Sequence, residues 1–219
     1  MNLKKLLLVG LLLLPLALSA SIFLDARLGS NQGYLDSRMV FSEDLSPLTI
    51  SDISRSQAGI FLQLDLGKYF ALQPELNITH KGMLARVPGY EERWRVNFLE
   101  LPLLMRFQPL GDRGAVVPSL FAGPYAAVKY STMLAINGQD MSENLPPLTR
   151  GFDLGMIAGV SLAVNLDSMR LHFELRYSRG LTNFLKYPAA LELPESTKIH
   201  TQSLGFLFGY SLPLGKKES

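Results

Sequence analysis

The sequence predicts an all-β fold, an eight-stranded antiparallel up-and-down transmembrane β-barrel. Three observations predict it. The chain opens on an export leader, it then carries about eight long runs of period-two alternation, and the connections between those runs alternate short and long.

The leader is read first because it changes the compartment. Lys4 and Lys5 precede a leucine-rich core, Leu6 to Leu18, which exits through Ala17, Ser19 and Ala20. A basic start, an apolar core and small residues at the exit make a secretory signal peptide. The core is shorter than the roughly 20 residues that a membrane-spanning helix needs, so cleavage is expected and a retained anchor is not. The expected organisation is a signal peptide over 1–20, a barrel over 21–214 and a polar tail over 215–219.

Composition narrows the partners. Charged residues make up 18% of the chain, below the ~25% of ordinary soluble domains. The formal charge of +2 vanishes once Lys4 and Lys5 leave, and no basic run survives to bind nucleic acid. The absence of cysteine excludes disulfides, thiol nucleophiles, cysteine-ligated metal and a lipid-modified N-terminal cysteine.

Each run sets an apolar face against a polar one. In the first, Ile22, Leu24, Ala26 and Leu28 oppose Phe23, Asp25 and Arg27. Ala58 to Leu66 at even positions oppose Gln57, Gly59, Phe61, Gln63 and Asp65 in the second. The third sets Phe70, Leu72, Leu76 and Ile78 against Gln73, Glu75, Asn77 and Thr79, and the fourth sets Leu99, Leu101, Leu103, Met105 and Phe107 against Phe98, Glu100, Leu104 and Arg106. In the fifth, Leu120, Ala122, Ala126, Val128 and Tyr130 oppose Ser119, Phe121, Gly123, Tyr125 and Lys129. The sixth sets Phe152, Leu154 and Met156 against Asp153 and Gly155; the seventh sets Leu171, Phe173, Leu175 and Tyr177 against Arg170, His172, Glu174 and Arg176. The eighth sets Leu204, Phe206, Phe208 and Tyr210 against Ser203, Gly205, Gly209 and Ser211.

Connections near 67–69, 108–114 and 165–168 are short. Those near 30–56, 80–92, 131–150 and 181–199 are long. Short periplasmic turns and longer external loops are the rhythm of an outer-membrane barrel, with both chain ends on the short-turn side. Alternation alone does not say which face points outward, and a soluble lipocalin-like carrier would turn the leucines inward around a ligand. The membrane version is favoured because the polar face is rich in Gly, Ser, Gln and Asn. It is favoured also because aromatics gather near the strand ends: Phe70, Phe107 and Tyr210 at one rim, Tyr130, Phe152 and Tyr177 at the other.

Four motifs then occur in order: Phe70-Ala71-Leu72-Gln73-Pro74-Glu75-Leu76 followed by Lys81-Gly82, then Phe98 to Leu104, Ala122-Gly123-Pro124-Tyr125, and Arg176-Tyr177-Ser178-Arg179-Gly180-Leu181-Thr182-Asn183. As an ordered set over about 57–214 they resemble the outer-membrane β-barrel families common in Bacteroidota, including PorT-type and porin-family barrel domains. The resemblance implies an eight-stranded barrel in the cell outer membrane. One branch of these families serves type IX secretion, and no residue places this chain in that branch. The chain also lacks the terminal aromatic usual for outer-membrane insertion, Tyr210 being the nearest substitute.

The candidate lumen network is Asp25, Arg27, Asp65, Glu75, Glu100, Arg106, Lys129, Asp153, Arg170, His172, Glu174 and Arg176. An eight-stranded barrel encloses only enough space for side chains to fill, and charges buried there must pair. A neutralising structural network is therefore expected in place of an ion path. His80, His200 and Ser131 lie at external strand ends, and nothing in their spacing assembles an acyl-hydrolase triad. Asp140-Met141-Ser142-Glu143-Asn144 lacks the glycine and closing glutamate of a calcium loop. No catalytic site, metal or cofactor is expected.

The chain thus reads as a monomeric outer-membrane barrel with a structural or surface-interaction role. Its expected partners are outer-membrane lipid, the barrel-assembly machinery and a surface or secretion partner met through the external loops. The alternative is a transport or secretion component, either a small pore or a type IX accessory. The soluble carrier or a surface enzyme ranks below it.

Overall fold

The computed structural model describes residues 22–36, 49–112, 114–140, 150–183 and 200–214. The leader, the tail and most of the Asp140–Asn144 segment lie outside the described residues. Eight long strands follow one another: β1 (Ile22–Asp36), β2 (Thr49–Asp65), β3 (Phe70–Val87), β4 (Tyr90–Phe107), β5 (Val116–Ile136), β6 (Phe152–Asn165), β7 (Arg170–Gly180) and β8 (His200–Leu214). Each pairs antiparallel with its sequence neighbours, and β1 pairs with β8 from Ile22↔Leu214 to Asp36↔His200. The sheet closes on itself as an eight-stranded barrel, so its long strands have no free edge in the membrane.

Burial along the strands is inverted relative to a soluble protein. Leu101 is 55% exposed while its neighbour Glu100 is 2% exposed. The same alternation runs through β3, β6, β7 and β8, with leucines, phenylalanines and methionines outside and Gln, Asp, Glu and Arg inside. Only a hydrocarbon solvent makes that arrangement favourable, since apolar surface taken out of water contributes about 25 cal/mol per Å². The soluble lipocalin-like reading is overturned here: its leucines would have to line the interior, and they line the exterior. The rim aromatics Phe70, Phe107, Tyr210, Tyr130, Phe152 and Tyr177 all face outward, and Phe70 and Phe107 meet at the short-turn rim with ring centroids 5.3 Å apart.

The strands are longer than the alternation predicts. On β4 the outward apolar stretch Leu99–Phe107 is nine residues, enough for a tilted membrane strand, yet the strand has 18 residues. Tyr90–Phe98 therefore rise beyond the hydrocarbon core of the membrane. The expected long loop over 80–92 is corrected to a two-residue turn, Pro88-Gly89, joining Val87 to its partner Tyr90. Much of the expected 131–150 loop is likewise strand: β5 runs to Ile136, turns at Asn137-Gly138, and Gln139–Asp140 pair back onto it. Both turn residues have positive φ, 48° and 81°, as a two-residue hairpin with the twist of its strands requires. A bulge between Asp52 and Gln57 on β2, and one at Tyr130 of β5 opposite Asn97 and Phe98, mark the level where the barrel wall becomes this external ribbon.

Candidate functional site: the barrel lumen

Each inward strand position delivers one side chain to a shared interior, and the charged ones meet there in layers. The central layer holds Arg27 of β1, Glu75 of β3, Arg106 of β4, and Glu174 and Arg176 of β7. Arg27 Nη1 donates to both carboxylate oxygens of Glu174 at 2.8 Å and lies 3.4 Å from Glu75. Arg176 donates to Glu75 at 2.9 and 3.1 Å, across the full width of the barrel, and also to Glu174. Arg106 reaches Gln73 at 2.9 Å, Ser119 at 2.7 Å, Ser161, and Glu174 at 3.4 Å. Aromatic faces pack on these guanidiniums: Arg27 lies 3.5 Å from the Phe61 ring centroid and Arg106 5.3 Å from that of Phe121.

Toward the external end, Asp153 accepts hydrogen bonds from Tyr125 at 2.9 Å, Thr201 at 2.7 Å and Thr182. Beside it Lys81 pairs with Glu100 at 2.9 Å. Toward the short-turn end, Asp25, Ser211 and His172 cluster, with His172 Nε2 2.9 Å from Asp25 Oδ1. Below them Arg170 packs 4.4 Å from the Phe23 ring centroid and donates to Asn165 at 2.6 Å, while Asp65 accepts from Gln63 at 2.7 Å.

The structure brings the candidate network residues into one interior, eleven of the twelve buried and Lys129 half-buried at the upper end. The motif reading left out Lys81 as a lumen charge because it follows the predicted end of the third run. Its inward parity with Glu75, Asn77 and Thr79 is the signal that could have found it. With Lys81 included the described interior residues hold six carboxylates and six fixed cations, and that balance meets the requirement that buried charge be compensated.

The chemistry such a site offers is limited by its geometry. Ser, His and Asp do come together at the lower layer, but Ser211 and Asp25 both sit on Nε2 of His172, and Nδ1 has no partner. An activating triad needs the acid on one ring nitrogen and the nucleophile on the other. His80 and Ser131 pair with Asn97 from opposite sides, so the whole of β4 lies between them, and His200 is on β8. The His80 ring hydrogen-bonds the Ser56 carbonyl at 2.9 Å. Among the described residues no group of acids and histidines has the arrangement of a metal site.

The four sequence motifs have a common destination. Gln73 and Glu75 come from the first, Lys81 from the dipeptide after it, Glu100 from the second, Tyr125 from the third and Arg176 from the fourth; all are lumen residues bonded in the layers above. They mark how the interior packs.

The family model for the outer membrane protein beta-barrel domain matches residues 26–186. The chain belongs to that family and is an outer-membrane protein. Among solved structures, the outer membrane protein OprG from Pseudomonas aeruginosa aligns over 90% of this chain and 97% of its own, at 12% identity and a TM-score of 0.53. Neisserial surface protein A aligns over 90% and 99% at 11% identity and a TM-score of 0.46. OprG supports the fold and nothing finer at that identity. No curated protein matches the chain.

Proposed function

We propose that this protein is a sealed outer-membrane barrel that acts through the surface it raises outside the cell, without catalysis and without passing solute. One observation carries the reading. A conducting pore would leave its lining wet, yet the side chain of Glu75 is 0% exposed, Arg106 1%, Arg27 2%, and Glu174 and Arg176 3% each. These five groups occupy one cross-section, and an eight-stranded barrel has room for little else. What remains accessible is the ribbon of β3, β4 and β5 above the apolar belt, where a barrel places its contacts with other molecules. A monomer assembled by the barrel-assembly machinery is sufficient for this role.

The PorT-type and Bacteroidota resemblance rests on motif residues that pack the lumen, so it supports kinship of fold more than a part in type IX secretion. The deciding experiment is a planar-bilayer recording of the purified barrel. No sustained conductance is expected; reproducible openings from single barrels would replace the sealed reading with small-solute transport.

A further inference from the structure

The outward face of the external ribbon continues the lipid-facing row of β4. Above Leu99 on that face come Asn97, Arg95 and Arg93. Arg95 stands ~13 Å along the tilted strand from Leu99, which is headgroup level just above the hydrocarbon. Arg55 of β2 lies close enough to feel both: its ionisation is pushed below the usual arginine range by burial first, then by the charges of Arg95 and Arg93. Among the described residues the carboxylate bonded to this group is Glu91, which accepts from Arg93 at 2.9 Å and is shared with Arg86, also at 2.9 Å. The Nε atoms of Arg55 and Arg95 are buried without a hydrogen-bond partner, and Arg95 Nη1 has the Met133 sulfur at 3.6 Å, a weak acceptor. Opposite Arg95 in the ladder stands Gly82.

Like charges held together favour a bound anion. We propose that Arg93 and Arg95, with Arg55 beside them, bind the phosphate groups of phosphorylated glycolipid in the outer leaflet. Guanidinium forks match phosphate bidentately. The position selects lipid over a free anion, because a headgroup bound here lays its acyl chains on Leu99, Ile78 and Val128, all exposed on the same outer surface. The inference rests on the outer-membrane location and the ribbon; it does not depend on the lumen being sealed.

The test uses the full mature chain refolded in phosphatidylcholine vesicles doped with diphosphoryl lipid A, with lipid retained per barrel counted by mass spectrometry after detergent extraction. Wild type is expected to retain it. R93Q/R95Q should bind about thirty-fold more weakly, from about 1 kcal/mol per arginine at a charged membrane surface. R93K/R95K should fall between, because lysine keeps the charge but loses the fork. Lys68→Gln, at the short-turn end, should match wild type. Fully dephosphorylated lipid A should be retained poorly by wild type, a comparison that stands even where the glutamine variant does not fold. Equal retention by wild type and R93Q/R95Q, or of phosphorylated and dephosphorylated lipid, overturns the proposal. So does displacement of the lipid by millimolar pyrophosphate, which would assign the site to free phosphate.

Discussion

Arg176 and Glu75 face each other from β7 and β3, four strands apart in either direction around the barrel, and join through two hydrogen bonds of 2.9 and 3.1 Å. A pair that spans the full diameter ties together residues 101 positions apart in the chain, and it sets the terms for what substitutions inside and outside the wall should do.

The first prediction compares neighbours on β4. Alternation alone makes Leu101→Arg the costly change, at about 2–4 kcal/mol for a charge facing lipid, and Glu100→Gln the mild one. The ion pair between Glu100 and Lys81, at 2.9 Å with both side chains nearly fully buried, changes that order. Glu100→Gln strands the ammonium and should cost about 3–5 kcal/mol, and adding Lys81→Met should restore most of the loss. Denaturant titration of barrels folded in vesicles measures all three. A Glu100→Gln loss well below that of Leu101→Arg would refute the pairing.

The second concerns two inward glycines of β6. A side chain at Gly155 would collide with the Tyr125 ring, and one at Gly159 with the Phe121 ring. Gly155→Val and Gly159→Val should each destabilise by about 1–3 kcal/mol through overpacking. Ala158→Val, between them on the outer face, should cost little. The compact band on an unboiled gel should disappear at lower temperature for the glycine variants only.

A third prediction separates ribbon from barrel. Asn137 bonds Glu91 twice, donating its amide to the Glu91 carbonyl at 2.8 Å and accepting the Glu91 amide on its side chain at 2.7 Å. Gly138 has φ of 81°, which valine adopts only with strain. Gly138→Val should expose the ribbon tip to external protease while leaving the compact barrel band unchanged. Loss of the whole barrel would show that ribbon and barrel fold as one unit.

The fourth is a pH dependence. Hydrogen bonding from Arg86, with the charges of Arg86 and Arg93, holds the Glu91 carboxyl below the usual glutamate range. A carboxylate depressed in the folded state contributes order above its unfolded value of about 4.3. That contribution is lost as pH falls through the lower folded value. Pepsin cleavage of the ribbon tip should therefore rise as the pH is lowered below that unfolded value of about 4.3, and Glu91→Gln should flatten the rise by leaving the tip open throughout. Identical profiles for wild type and variant would contradict the coupling.

Within the membrane the facing of every strand was readable, because period-two alternation there has apolar against polar residues, and lipid and lumen demand opposite chemistries. Glu75, Arg106 and Glu174 could be assigned to the interior for that reason alone. Above the belt both faces are polar, so the contrast disappears: Arg86, Glu91, Arg93 and Arg95 look like loop until the turns Pro88-Gly89 and Asn137-Gly138 are recognised as hairpin tips. Lys81 was missed at that boundary. Which acid meets which base was beyond reach, since Arg27 and Glu174 are brought together by ring closure across 147 positions and no local spacing encodes it.

The interior ties also act like spokes in a wheel. A closed sheet held only by its hoop of backbone hydrogen bonds can flatten into an oval when the surrounding bilayer thins or comes under tension. Here Arg27 to Glu174, Arg176 to Glu75 and Arg106 to Ser161 join strands that are not neighbours, so any squeeze along one diameter must break charged contacts on another. The cross-section is thereby made stiff, and changes in lipid thickness should alter how steeply this barrel leans while leaving how round it is unchanged.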